Sequence, residues 1–202
     1  MQTFRYDHFP LDVSCVHVGL FTNVTNAAQL RARLIQASLI QGEAGDVERE
    51  AVNFAFVEAR LISSILHLQT AVVHAILAQA QGSLRTKTVH SEILWALSPN
   101  NNASITEAIR RFGISDETTA LLAIRISSPD LTDVEGRMRA VVSGDLSNLN
   151  ELRQVTDWTN IRKYYKLNQD PALKTPGLEE ARQHVIADEI VVSTVAMKSV
   201  LA

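Results

Sequence analysis

Residues 62 to 80 form the most apolar helical segment of this chain, and no other feature restricts the fold as strongly. Leucine, isoleucine and valine side chains occupy most of the helix circumference: Ile62, Ile65, Leu66, Val72, Val73, Ile76 and Leu77. The polar positions His67, Thr70 and His74 are confined to one stripe. A helix that is apolar nearly all round is enclosed by other elements. We therefore expect a core helix here.

Strands and further helices alternate around this segment. Residues 13 to 21 and 121 to 127 have the alternation of strands, and residues 53 to 59 repeat it over a shorter length. Capping residues and periodicity predict helices over residues 27 to 40, 105 to 112, 133 to 142, 158 to 165 and 177 to 200. This mixture predicts an α+β (mixed α/β) fold with a small mixed or antiparallel sheet packed against several helices.

The chain has no long linker, so we expect residues 1–202 to form a single domain. Its 202 residues are 46% hydrophobic and 20% charged, which suits one folded domain. Residues 42 to 50 combine glycines with acidic side chains, and we expect them to form an acidic surface loop. No apolar run reaches the roughly 18 residues of a membrane span, and the N-terminus lacks the pattern of a signal peptide.

Charge and cysteine content exclude several classes of function. The formal net charge of −3 argues against a chain that binds nucleic acid by its overall charge, so such binding would need a local basic patch. Cys15 is the only cysteine, which excludes an intramolecular disulfide and a CxxC metal site. We expect a soluble protein of a reducing compartment, without a metal or other cofactor.

The histidines do not form a recognisable catalytic or metal-binding motif. His67 and His74 share a helix face, but no HExxH pattern accompanies them, and a polar stripe is the simpler interpretation. His90 and Glu92 flank Ser91 and could serve acid–base chemistry. Neighbouring residues on a helix point in different directions, however, so a small enzyme using His90 and Glu92 is only an alternative.

An asparagine run raises the question of RNA binding. Asn100, Asn101 and Asn102 follow Ser98-Pro99 at the end of an apolar helical segment. Four cations flank the run: Arg85, Lys87, Arg110 and Arg111. Cations position phosphates and amides bond base edges, which would suit a single-stranded RNA end. By residue type alone, a solvated helix face beside a polar loop explains the same residues better.

The last predicted helix is apolar on more than one side. Beyond His184, the residues Val185, Ile190, Val191 and Val195 do not keep to one narrow face. We expect one side to pack on the chain's own core and the other to meet a partner.

With these segments identified, the chain resembles the kinase-binding subunit of the EKC/KEOPS complex, the PRPK-binding protein family, and most closely its fungal members. The resemblance covers nearly the whole chain. It rests on FAFVEARLISSILHLQTAVVHA, LRTKTVHSEILWALSPNNN, ITEAIRRFGISDETTALLAIRI, IRKYYKL and GLEEARQHVIADEI.

The resemblance implies a non-catalytic, regulatory subunit in the nucleus and cytoplasm. Such a subunit binds and activates the complex's atypical kinase/ATPase and helps to recruit tRNA through its 3′ CCA end. The complex makes the threonylcarbamoyladenosine (t6A) modification of tRNA and is also linked to telomere maintenance and transcription. A stand-alone RNA-binding module is the alternative from another class.

The resemblance also turns the sequence features into site predictions. The predicted tRNA-binding residues are Arg85, Lys87, His90, Asn100, Asn101, Asn102, Arg110 and Arg111. The predicted kinase-binding residues are Ile190, Val191, Val195, Lys198 and Leu201.

Overall fold

An antiparallel sheet that is covered on both faces organises the structure. The computed structural model describes residues 1–99 and 104–199. Its strands are β1 (Gln2–Arg5), β2 (Cys15–Thr22), β3 (Ala55–Glu58), β4 (Leu121–Ser127) and β5 (Asp145–Ser147). The order across the sheet is β1-β2-β4-β3, and β5 pairs with β2 beyond the end of β1. The α+β prediction is confirmed, and the sheet is antiparallel.

The described residues form nine α-helices around this sheet. They are α1 (Ala27–Leu39), α2 (Gly42–Ala51), α3 (Ile65–Ala80), α4 (Val89–Leu97), α5 (Ile105–Phe112), α6 (Val134–Val141), α7 (Leu152–Val155), α8 (Trp158–Tyr164) and α9 (Glu180–Ala196). None of them is both long and apolar enough to cross a membrane. The single-domain assignment stays a prediction.

Alternate side chains of β4 belong to two separate apolar clusters, one on each face of the sheet. Leu122, Ile124 and Ile126 of β4 face one cluster, which contains α3, α4 and α9. Leu121 and Ala123 face the other, which contains α1 and α6. All seven residues of β4 are buried. The predicted strand is therefore the centre of the fold rather than a half-exposed strand.

α3 is the predicted core helix, but one part of it faces outward. Leu68, Val72 and Ile76 are fully buried. Leu66 and Leu77, in contrast, are 57% and 37% exposed. Their separation of 11 residues is about three helical turns, so they lie on one face. The expectation of an all-round buried helix is correct for most of α3 and wrong for this face.

The acidic loop predicted at 42–50 is wrong, because these residues form the helix α2. Two of its acidic side chains, Glu48 and Glu50, are paired with arginines from other segments. Glu48 accepts two hydrogen bonds from Arg33 of α1, at 2.5 and 3.2 Å. Glu50 binds Arg125 of β4 at 2.6 Å. These partners turn an acidic stretch into a packed helix, and none of them is visible from the local sequence.

Gly45 permits the close approach of α2 to the end of α1. A Cβ atom at this position would lie 2.2 Å from the carbonyl oxygen of Ile40 and 2.8 Å from Nη1 of Arg49. Arg49 itself donates to the Ile40 carbonyl at 2.7 Å. The turn between the helices therefore requires a residue without a side chain.

Gly45→Ala should destabilise the fold, although alanine is the better helix former. The gain in helix propensity is about 1 kcal/mol, and a backbone clash at this distance costs roughly 1–3 kcal/mol, so the clash should dominate. The unfolding midpoint in urea measures the difference. Ala44→Ser, at an exposed neighbouring position, should change it by less than about 0.5 kcal/mol. A stabilised Gly45→Ala would contradict the close approach.

Candidate functional site

One buried carboxylate holds the segment that precedes α4. Glu92 is 2% exposed, and its Oε2 accepts hydrogen bonds from the backbone N–H groups of Arg85 at 3.0 Å and Thr86 at 2.8 Å. The Thr86 hydroxyl donates to the same oxygen at 2.7 Å. Thr88 and Ser91 cap the start of α4 reciprocally. Glu92 thus fixes the backbone that carries Arg85.

His90 points into the sheet rather than toward solvent. Its Nε2 accepts the backbone N–H of Ile126 at 2.9 Å. Burial, and secondarily the charge of Arg125, lowers the pKa of His90 to about 3, so the ring is neutral at physiological pH. His90 and Glu92 bond separate partners and are not brought together as an acid–base pair. His90 is one of the predicted tRNA contacts, but its side chain is buried.

Arg85 and Lys87 remain exposed, as a contact to RNA requires. The Arg85 guanidinium lies over the ring of Trp95, 4.9 Å from its centroid. The Nζ atom of Lys198 lies 3.8 Å from the same centroid. Two cations from distant parts of the sequence therefore share one indole ring, a contact that the sequence alone did not indicate.

Arg110 and Arg111 share one carboxylate on α5. Arg110 donates twice to Glu107, at 2.9 Å each, and Arg111 donates to it at 2.6 Å. These hydrogen bonds lower the pKa of Glu107 to about 2. The Arg110 side chain is 72% exposed, whereas Arg111 is 31% exposed and lies over the ring of Tyr164 at 5.3 Å. The group carries a net charge of about +1.

The described contacts divide the predicted tRNA residues into two groups. Arg85 belongs with Trp95 and Lys198, while Arg110 and Arg111 line a cleft of about 170 Å³ between α5 and α8. α4 packs against α5, so both groups belong to neighbouring helices. Asn100, Asn101 and Asn102, which connect them, lie outside the described residues.

Most of the predicted kinase-binding residues face the chain's own core. Val191 and Val195 are fully buried, and Ile190 is half-buried against the same cluster. Lys198 is 2% exposed, and its Nζ donates to the carbonyl oxygens of Trp95 and Ser98. Leu201 lies outside the described residues. The stripe formed by Ala187, Val191 and Val195 is thus the inner face of α9.

The apolar surface of this region lies elsewhere on the same pair of helices. α3 packs against α9, and Nε2 of His74 lies 3.2 Å from the Ala196 carbonyl oxygen. Exposed apolar side chains occur on both helices: Leu66 and Leu77 on α3, Val185 on α9, and Met197 just beyond it. Val185 and Met197 are 45% and 47% exposed. Val185 falls outside the 187-191-195 stripe, but the sequence pattern alone does not show which face of α9 is the inner one.

A buried hydrogen-bond chain joins α3, α8 and the end of α4. The Ser63 backbone N–H donates to Nδ1 of His67, and Nε2 of His67 meets the Tyr165 hydroxyl at 2.9 Å. Tyr165 donates to the carbonyl oxygen of Leu97 at 2.6 Å. Burial lowers the pKa of His67 to about 3, consistent with a neutral ring that accepts at Nδ1 and donates at Nε2. His67 is structural.

The described part of the chain contains no group of three or more histidine, cysteine, aspartate or glutamate residues placed to hold a metal ion. His67 and His74 contact different partners, and His67 is fully buried rather than part of a polar stripe at the helix edge.

Comparison with known proteins identifies the family. The model of the family described as "Kinase binding protein CGI-121" matches residues 21–199. The chain belongs to this family. A CGI-121 relative from Cryptococcus neoformans, named EKC/KEOPS complex subunit CGI121, is 37% identical over 236 aligned positions that cover 100% of both chains.

Two further CGI-121 relatives carry the same subunit name. The Neurospora crassa protein is 32% identical over 219 positions, which cover 98% of both chains. The Aspergillus fumigatus protein is 33% identical over 172 positions, which cover 83% of this chain and 84% of its own. The resemblance inferred from the sequence motifs is confirmed.

The two buried histidines should make the fold sensitive to acid. Their pKa of about 3 lies below the ordinary 6.5, so the unfolded chain binds more protons than the native chain between these values. Stability should therefore fall as the pH drops from 6.5 toward 3, by about 1.4 kcal/mol per pH unit for each histidine. His90→Gln, whose amide oxygen can accept the Ile126 N–H, should flatten this dependence. Urea unfolding at several pH values measures the slope, and His8→Gln, at an exposed position, should leave it unchanged.

Proposed function

We propose that this chain is a non-catalytic, regulatory subunit of the EKC/KEOPS complex that binds and activates the complex's atypical kinase/ATPase. The observation that carries this proposal is the Cryptococcus neoformans relative named EKC/KEOPS complex subunit CGI121, because its alignment covers both chains completely. A non-catalytic role is supported by His90 and Glu92, whose polar atoms bond backbone groups of the chain's own fold.

The finer parts of the proposal follow from the family resemblance. They are a contribution to t6A modification, contact with the tRNA 3′ CCA end, links to telomere maintenance and transcription, and a location in nucleus and cytoplasm. Arg85, Lys87, Arg110 and Arg111 support the tRNA contact, since their side chains lie at or near the surface on neighbouring segments. The net charge of −3 favours such binding within a complex over a stand-alone RNA-binding module.

For the kinase contact, we propose the exposed apolar residues of α3 and α9 in place of the buried stripe. Leu66, Leu77, Val185 and Met197 combine aliphatic character with exposure on two helices that pack together. Exposed apolar side chains grouped in this way are typical of protein interfaces. Val191 and Val195 would then support the interface from behind by fixing α9.

Leu66→Asp combined with Val185→Asp should weaken co-purification with the kinase by about tenfold or more, because interface anchors typically contribute 2 kcal/mol or more. Leu39→Asp is the matched control, since Leu39 is 62% exposed but lies on α1. It should leave kinase binding intact. If the chain with Leu66→Asp and Val185→Asp binds the kinase as tightly as the Leu39→Asp chain does, the α3–α9 surface is excluded as the kinase contact.

Val195→Asp tests the alternative that the buried stripe itself meets the kinase. An unpaired charge in the core costs about 3 kcal/mol or more, so this variant should unfold the chain rather than selectively lose the kinase. Circular dichroism and the unfolding midpoint distinguish the two results. A folded Val195→Asp chain that fails to bind the kinase would restore the original assignment.

The RNA contact is tested by charge reversal on α5. Arg110→Glu with Arg111→Glu should weaken binding of a single-stranded oligonucleotide ending in CCA by roughly tenfold at low salt, while kinase binding persists. Arg139→Glu is the control, because Arg139 pairs with Glu135 in a similar i, i+4 arrangement on α6. If Arg139→Glu weakens oligonucleotide binding as much as the double substitution on α5 does, the loss reflects only a general charge effect.

A further inference from the structure

The end of α9 is anchored to the end of α4 through one buried lysine. A short 3-10 turn over Met197–Ser199 follows α9. Within it Met197 is 47% exposed, whereas Lys198 is 2% exposed. Nζ of Lys198, whose pKa burial lowers to about 7, donates to the Ser98 carbonyl oxygen at 2.6 Å and also to the Trp95 carbonyl oxygen. The turn thus presents one side chain to solvent and buries the next.

These bonds complete the C-terminal end of α4. The last carbonyl groups of a helix have no partner within the helix, and a cation there also interacts favourably with the helix dipole. α4 ends at Leu97, whose carbonyl accepts the Tyr165 hydroxyl. Lys198 supplies the bond to the next residue, Ser98. Two buried side chains from the second half of the chain therefore satisfy carbonyl groups at the end of α4.

The same lysine also contacts the ring on which Arg85 lies. Lys198 and Arg85 approach the Trp95 ring centroid at 3.8 and 4.9 Å. Trp95 is 8% exposed, so its orientation is set by these neighbours rather than by solvent. Glu92 completes the group, because it binds the Arg85 backbone. Loss of the Lys198 ammonium would release the final turn of α4 and the support beneath Arg85.

We propose that Lys198 is a positioning residue that couples the kinase-binding region to RNA binding, by fixing Trp95 and thereby the guanidinium of Arg85. This inference rests on the proposed function. Lys198 touches no RNA itself. A partner that covers the exposed Met197 contacts the turn that carries Lys198 and holds it in place.

The coupling has a definite sign and is reciprocal. Kinase binding at Met197 stabilises the turn, keeps Lys198 on Trp95 and so raises the affinity for RNA. By linkage, RNA must raise the affinity for the kinase by the same factor, which typically is about fivefold or more for coupled sites.

The experiment compares three substitutions in the full chain. Lys198→Met keeps the length of the side chain and removes the ammonium group. Lys198→Arg keeps the charge and the donors, and Lys163→Met removes one positive charge from an exposed position on α8. Binding of a single-stranded oligonucleotide ending in CCA is measured for each chain, alone and with the kinase.

Lys198→Met should bind the oligonucleotide about fivefold more weakly than Lys163→Met and should lose the increase caused by the kinase. Lys198→Arg should recover most of the oligonucleotide affinity and most of the increase caused by the kinase. In a Trp158→Phe background, where Trp95 is the remaining tryptophan, Lys198→Met should shift the fluorescence emission and Lys198→Arg should restore it. If Lys198 served only the stability of the fold, Lys198→Arg would not restore both the fluorescence emission and the increase in oligonucleotide affinity caused by the kinase.

Two results would overturn the coupling. If the unsubstituted chain binds kinase and oligonucleotide but Lys198→Met behaves like Lys163→Met, the coupling is wrong and the proposed function stands. If the unsubstituted chain binds neither, both fall together. Should Lys198→Met fail to fold, Lys198→Gln decides in its place, because it retains a hydrogen-bond donor without the charge.

Discussion

Burial of β4 on both faces is the constraint on which the other elements depend. A strand with apolar side chains on both sides needs helices on both sides, and the chain supplies α3, α4 and α9 on one face and α1, α2 and α6 on the other. The strand also leaves one polar group to satisfy. β3 pairs with β4 only as far as Ile124, and His90 accepts the N–H of Ile126 beyond that point. The burial of His90 is therefore a consequence of sheet geometry.

The sequence predicted those elements whose signals are local. β4, α5 and α6 follow from alternation, from the Ser104 cap and from the Asp133 cap, each of which accepts a bond from the backbone three residues later. α2 was missed because the groups that stabilise it, Arg33 and Arg125, lie 15 and 75 residues from their acidic partners. One side of α9 was expected to be buried, but residues of that buried side, Val191 and Val195, were assigned to the partner for a related reason. Apolar residues occur on several of its faces, and only packing reveals which face is inside.

The candidate site also shows that residue type alone does not indicate whether a side chain is exposed or buried. Exposure of Arg85, Lys87 and Arg110 agrees with the surface role predicted for them. His90 and Lys198 are buried polar residues, and neither their residue types nor their neighbours in the sequence indicated that burial. The chain belongs to a family of kinase-binding proteins, whereas the coordinates show which of its side chains are exposed. The kinase contact proposed for Leu66 and Val185 rests on both kinds of information.

The sharing of Glu107 by two arginines limits how an RNA strand could be held. A carboxylate that neutralises one of two cations leaves few unpaired charges for phosphates, and each phosphate contact to a single strand contributes a salt slope of only about −0.7. A surface of this kind would bind RNA weakly by itself. Beside a second RNA-binding subunit in the proposed complex, such a surface would act through avidity, because linked sites raise the local concentration of the strand and can strengthen overall binding by roughly 100-fold or more.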